Sequence, residues 1–271
     1  MTAKREPGPE SPRARRRDGP DGADAASGAF FGRRKAKKLR GGQADLFATL
    51  LPQLTLPTPL PERLEALFAQ PVREVRLEIG FGGGEHLLAA ARAQPEVGFI
   101  GCEPFINGMA KILAAIAREG IGNVRLWPDD AAPLLERLPA ASLACIDLFY
   151  PDPWPKRRQR KRRFVSATTL AHLARALRPG GQFRFATDID DYAGWTLAHL
   201  SREPQLRWTA RAASDWLTPF EGWVRTRYEA KALAAGRQPS YLHFVRAGGR
   251  GGVPAPGHLS PAPRSWPRSD P

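Results

Sequence analysis

The stretch 143–150, Leu-Ala-Cys-Ile-Asp-Leu-Phe-Tyr, is almost continuously apolar and is closed by Pro151. A run of this kind marks a strand covered on both faces, which calls for a parallel sheet between two layers of helices. The surrounding chain repeats the pattern. Strands are predicted over 72–79, 97–102, 123–127, 182–187, 206–211 and 241–246. Helices are predicted over 85–93, 106–119, 131–138, 164–177 and 191–203, with a short one near 61–69. Gly120 ends one of these helices and Arg178-Pro179-Gly180-Gly181 another. Strands alternating with helices through short connections specify an α/β fold with a doubly wound, mostly parallel, seven-stranded sheet. No internal repeat is present.

The 271 residues suit one large domain or two small ones, and 42% apolar content is enough for a core. The formal charge of +14 favours a polyanionic partner over a neutral one, although heavy use of Arg alone would also raise it. Residues 1–28 and 247–271 are rich in Pro, Gly, Ala and Arg without hydrophobic period, and read as disordered tails. Residues 29–70 form a basic arm, with a cluster from Arg33 to Arg40, and an N-terminal extension; 71–246 form the folded domain. Cys102 and Cys145 lie in apolar runs and read as buried thiols in a reducing compartment. No apolar run reaches the roughly 18 residues of a membrane span, and no secretory signal opens the chain, so a cytoplasmic location is expected.

Two clusters carry chemistry. The first is Glu78-Ile79-Gly80-Phe81-Gly82-Gly83-Gly84, where the first strand of 72–79 turns into a helix. Glycines there allow a tight turn and close approach of a ligand to the backbone. A dinucleotide would place its pyrophosphate at the following helix N-terminus. Glu78 would repel a diphosphate and attract a ligand ammonium instead. Glu103, at the end of the second strand, stands where a carboxylate can accept from ribose hydroxyls. Asp130 follows the third strand; it can meet an adenine amino group, cap the next helix, or do both. The set Glu78, Gly80, Gly82, Glu103 and Asp130 favours S-adenosylmethionine over a nicotinamide.

The second cluster is Pro151-Asp152-Pro153-Trp154-Pro155-Lys156, followed by six cations in the seven positions 157–163. The prolines exclude helix and strand, so Asp152 sits on a stiff loop beside a polyanion-binding stretch. Asp188, at the end of the fifth strand, opens on the same crevice by the switch-point rule. Thr226, Arg227, Tyr228 and Glu229 form a third polar set before the last strand; they also fit a helix surface with an internal ion pair. Trp154 either stacks on a base or packs the loop onto the core.

These pieces resemble the bacterial tRNA (guanine-N7)-methyltransferases: Glu78 to Gly82, Pro151 to Trp154 with Lys156, Ala186-Thr187-Asp188, Thr226 to Glu229, and the arm Phe31-Gly32-Arg33-Arg34. The resemblance implies a Rossmann-like class I methyltransferase, monomeric or homodimeric, that uses S-adenosylmethionine and no metal to methylate guanine N7 in the tRNA variable loop. It implies that Asp152 is catalytic and that Lys156, Asp188, Thr226, Arg227, Tyr228 and Glu229 bind substrate. It further implies that Arg158, Arg160, Lys161, Arg162 and Arg163 contact RNA. The tails depart from the family pattern, and His243 stands where the family has Asp. Competing readings are a methyltransferase for another RNA, a protein or a small molecule, an RNA-binding module with a degenerate pocket, and a nicotinamide oxidoreductase.

Overall fold

The computed structural model describes Leu39 and residues 41–248. The basic arm apart from Leu39, the tail 1–28, and all of the C-terminal tail except Ala247 and Gly248 lie outside the described residues. Seven strands form one sheet: β1 Glu74–Ile79, β2 Val97–Cys102, β3 Val124–Trp127, β4 Leu143–Phe149, β5 Leu177–Thr187, β6 Leu206–Trp208 and β7 Ser240–Arg246. Their order is β3-β2-β1-β4-β5-β7-β6. β1 to β5 run parallel; β7 lies antiparallel between β5 and β6. The order reverses between β1 and β4, so the crevice opens beyond the carboxyl ends of those two strands.

The described residues include nine α-helices: α1 Gly41–Thr49, α2 Leu51–Leu54, α3 Glu85–Ala93, α4 Ile106–Glu119, α5 Ala131–Arg137, α6 Ala167–Ala176, α7 Asp190–Leu200, α8 Ser214–Leu217 and α9 Arg227–Ala234. The side chains of the strands alternate between two helical layers. Val75, Leu77, Ile79, Ile146, Leu148, Phe183, Phe185, Leu242 and Phe244 join one core with residues of α5, α6 and α7. The opposite core is built by Leu87, Leu88 and Ala91 of α3 and by Met109, Ile112 and Ile116 of α4, over Val97, Phe99, Val124 and Leu126.

Element ends differ from the sequence reading for local reasons. The predicted helix 164–177 begins at Ala167, because Ser166 caps it through a capping box with Thr169. The fifth strand starts at Leu177 instead of residue 182: Leu177 pairs with Leu143, and a register shift then carries Arg178 to Gly181 as a bulge, with Gly180 at φ +76°. The helix predicted near 61–69 is a single 3-10 turn, Leu64–Leu67. α1 and α2 have no counterpart in the sequence reading; their half-buried Leu46, Phe47 and Leu51, with Leu50 between the two helices, cover the α4 side of the core.

Candidate active site

The turn from β1 to α3 puts Gly80, Gly82 and Gly84 at φ +72°, +59° and +80°, in the left-handed region that favours glycine. The turn also rests on α4: a Cβ on Gly108 would lie 2.0 Å from the Gly82 carbonyl oxygen. Glycine at 108 is therefore needed for α4 to approach the turn. Glu103 leaves the end of β2 and accepts from Gly82 N–H at 2.6 Å and from Phe105 N–H at 2.9 Å. It is buried, and burial pushes its pKa up to about 7 against those two bonds, with the field of Asp152 adding to the rise. Each Glu103 oxygen keeps a second lone pair for a ligand hydroxyl.

Glu78 projects from β1 on the α3 side, buried, with its Oε2 2.9 Å from His86 Nδ1 on α3. Burial disfavours the charged form of His86, yet the Glu78 carboxylate outweighs it and the net pKa is raised. Glu78, Gly80, Phe81, Glu85, His86, Phe149, Tyr150, Thr226 and Tyr228 line one cavity. Its lining holds two carboxylates and neither Lys nor Arg, which suits a ligand with a cationic end and disfavours a pyrophosphate there. Asp130 accepts from Ala132 N–H at 3.1 Å and caps α5. The cap reading of Asp130 is thus observed, and its place past β3 stays open to a ligand as well.

The Pro151–Pro155 loop begins and ends under backbone strain: Tyr150 and Trp154 both have positive φ, at +50° and +43°. Asp152 is open to solvent at the crevice mouth, yet enough protein crowds it that desolvation raises its pKa. Its charge reaches Glu103, so the loop lies near the carboxylate that holds the glycine turn. Arg163 holds the loop from behind. It donates to the Pro153 carbonyl at 2.8 Å and to the Asp191 carboxylate, and its guanidinium lies over the Tyr192 and Trp195 rings. The Arg163 side chain is 0% exposed, so it does not offer itself to RNA as the resemblance implied. A cation with no water around it must be paired internally, and Arg163 is.

The cations 157–162 form a 3-10 helix, which aims them in different directions. Arg158 and Lys161 are exposed; Arg160 is tied to Asp191 at 2.6 Å and keeps 37% of its side-chain surface open. Arg162 lies over the Trp154 ring, 5.0 Å from its centroid, so Trp154 packs against the protein on that face. Lys156 is exposed just ahead of this turn.

Thr226 caps α9, accepting from Glu229 N–H at 3.2 Å. Glu229 is buried beneath the crevice, taking hydrogen bonds from Trp223 Nε1 at 2.6 Å and the Tyr241 hydroxyl at 2.5 Å. Arg227 donates to the Tyr228 hydroxyl at 2.9 Å, and the exposed Tyr228 ring lies by Gly82. The Arg227–Glu229 pair that this set also allowed is replaced by other partners: Arg227 turns to Tyr228, and Glu229 to Trp223 and Tyr241. Asp188 accepts from Arg237 at 2.7 Å.

The sequence reading passed over Asp147 and Arg184, which join Glu78 and His243 in the floor of this site. Across the sheet, Glu78 pairs in register with Asp147, Asp147 with Arg184, and Arg184 with His243. These four form one polar row on the α3 side. Arg184 grips Asp147 through two 2.6 Å bonds, and the guanidinium outweighs burial to hold the Asp147 pKa down. His243, whose Nδ1 lies 3.2 Å from Thr209 Oγ1, has its pKa lowered by burial and by Arg184. Phe149, Phe220, Trp223 and Tyr241 roof the row with edge-to-face contacts.

A family described as "Putative methyltransferase" matches residues 72–241. A tRNA (guanine-N(7)-)-methyltransferase of Rhodopseudomonas palustris (strain BisA53) is 59% identical over 228 residues, covering 83% of this chain and 91% of that protein. The chain belongs to the tRNA (guanine-N(7)-)-methyltransferase family. A second family member, from Rhizobium meliloti (strain 1021), is 57% identical over 82% of this chain and 97% of its own length. Among solved structures, the 16S rRNA methyltransferase KamB shares the fold at a TM-score of 0.52, with 19% identity over 72% of this chain and 99% of that one. Among the described residues, no helix is long and apolar enough to cross a membrane.

Proposed function

We propose that the chain methylates N7 of a guanine in tRNA with S-adenosylmethionine as cofactor, in the cytoplasm. The observation that carries this reading is the convergence of Glu78, Glu103 and Asp152, from the ends of β1, β2 and β4, on one glycine-lined crevice beside an exposed basic turn. The identity to named tRNA (guanine-N(7)-)-methyltransferases over most of both chains supports it.

The residues fit the cofactor. Glu78 would hold its ammonium, the Gly80–Gly82 backbone would lie along it, Glu103 would accept from the ribose hydroxyls, and Asp130 would meet the adenine amino group. Bound there, the cofactor supplies an electrophilic sulfonium methyl to the N7 lone pair. N7 carries no proton, so no residue has to act as a strong base. The work of the chain is alignment and charge. Asp152 accepts from guanine N1–H and the 2-amino group, orients the base, and offsets the positive charge that grows on the imidazole ring. Asp188, Thr226, Arg227 and Tyr228 surround the base, with Glu229 holding Thr226 through its backbone N–H and the Trp223 and Tyr241 side chains through its carboxylate. Lys156, Arg158, Lys161, and the open faces of Arg160 and Arg162 take the phosphates.

Calorimetric titration tests the cofactor assignment. S-adenosylmethionine should bind and NADH should not, and Glu78→Gln should weaken the former about 10- to 100-fold by removing a charge-assisted contact. NADH binding with an indifferent Glu78→Gln variant would reject the assignment. The basic turn has its own test. Arg158→Ala with Lys161→Ala should lower the log–log salt slope of tRNA binding by up to about 2, near one for each phosphate no longer neutralised. An unchanged slope would make the turn a solvated surface. Phosphate contacts carry no sequence information, so all tRNAs should weaken alike.

A further inference from the structure

Glu78 does not stand alone in its crevice. His86 Nδ1 lies 2.9 Å from Glu78 Oε2, both side chains are 6–7% exposed, and both line the same cavity as Gly80 and Tyr228. The His86 ring is pinned edge-on by Phe149, centroids 4.9 Å apart, and tilted against Trp223 at 5.3 Å. With the ring so held, one Glu78 oxygen is occupied by the imidazole and the other remains for a ligand. Accepting the cofactor reading above, we infer that His86 is a positioning residue for Glu78 whose proton competes with the cofactor ammonium for that carboxylate.

The competition is electrostatic and acts at one carboxylate. Neutral His86 can donate from Nδ1 and orient Glu78 while leaving its full negative charge to an incoming cation. Protonated His86 neutralises Glu78, and the ammonium then enters beside a like charge in a poorly solvated site. The charged groups facing His86 are Glu78 on β1, Asp147 on β4 and Arg184 on β5; Phe149 and Trp223 complete its walls. Asp147 is already satisfied by Arg184, so Glu78 is the carboxylate that sets the His86 charge. By linkage, ligand binding must expel the His86 proton to the same degree that the proton weakens ligand binding. Affinity should therefore rise with pH until His86 is neutral, by up to about tenfold per pH unit for one proton displaced.

The test uses S-adenosylhomocysteine, which carries the ammonium, and 5′-methylthioadenosine, which lacks it, titrated calorimetrically into the full chain between about pH 5.5 and 8, the range in which a histidine changes charge. Glu103 titrates in the same window, so the readout is the difference between variants. His86→Asn keeps a neutral donor at the Nδ1 position. It should bind S-adenosylhomocysteine as the unaltered chain does at the alkaline end and more tightly at the acid end, with the log affinity–pH slope reduced by up to about one. His86→Leu loses the donor and should weaken S-adenosylhomocysteine about tenfold at the alkaline end while leaving 5′-methylthioadenosine within about twofold. Equal slopes for the unaltered chain and His86→Asn would overturn the inference. So would equal weakening of both ligands by His86→Leu, which would mark a merely structural ring. Failure of the unaltered chain to bind S-adenosylhomocysteine at any pH would reject the cofactor reading itself, and the inference with it.

Discussion

Asp152→Ala should lower kcat for tRNA methylation about 10²–10³-fold while cofactor affinity stays within about threefold. The expectation follows from where the carboxylate stands: on a loop fixed by Arg163 from behind, past the end of β4, near the Glu103 carboxylate that holds the glycine turn. Removing it takes away the partner of the guanine edge and the counter-charge for the methylated ring, and neither is needed to bind the cofactor. Asp152→Asn, which keeps one acceptor but no charge, should fall between. One side effect has a definite sign. The Asp152 charge helps keep the Glu103 pKa near 7, so its loss should lower that pKa and improve cofactor binding slightly below pH 7. Single-turnover rates and calorimetry on the same preparation decide the matter. A loss of cofactor affinity as large as the loss of rate would move Asp152 out of the substrate side.

Asp147→Ala should destabilise the fold by about 3–5 kcal/mol, because it strands the Arg184 guanidinium in the buried row between β1 and β7. For a domain of this size that corresponds to a fall in Tm of about 6–20 °C. Replacing both partners with apolar residues of similar volume, Asp147→Leu with Arg184→Met, should recover most of the loss, since no uncompensated charge is left. Activity should not return with stability. The row ends at Glu78, and Arg184 lies over the rings of Phe149 and Phe220 that border the site. An Asp147→Ala chain that melts within about 2 °C of the unaltered one would show that water reaches Arg184 and that the row is not a sealed unit.

The strand and helix alternation was legible because several periodic segments also carried a stop signal, as Gly120 does for α4 and Pro151 for β4. β4 was legible as a buried strand for a reason that also hid its most informative residue. Asp147 sits inside an apolar run, and a carboxylate buried there demands a cation; Arg184 on the next strand, flanked by Phe183 and Phe185, was the available partner. That signal was present but needs the strand order to be read. His86 was hidden differently: it stands in the first turn of α3, two residues after Gly84, and only the fold shows that this turn returns it to Glu78. The basic turn was legible as charge and not as direction. Its cations look alike in sequence, but the 3-10 winding leaves Arg158 and Lys161 outside while Arg163, just past it, closes the loop from within. Glu229 likewise read either as part of a substrate-facing polar set or as a surface partner of Arg227, and α9 turns it toward Trp223 and Tyr241. The tails owe their assignment to composition, and the arm 33–40 to its charge and to the resemblance at Arg33-Arg34; all lie outside the described residues, apart from Leu39, Ala247 and Gly248.

Methyl transfer itself is the most direct test. Purified chain incubated with bulk tRNA and methyl-labelled S-adenosylmethionine, followed by digestion to nucleosides, should give label in 7-methylguanosine, and the Asp152→Ala chain should give little or none. Label in a different nucleoside, or none from the unaltered chain on tRNA that lacks this modification, would contradict the account.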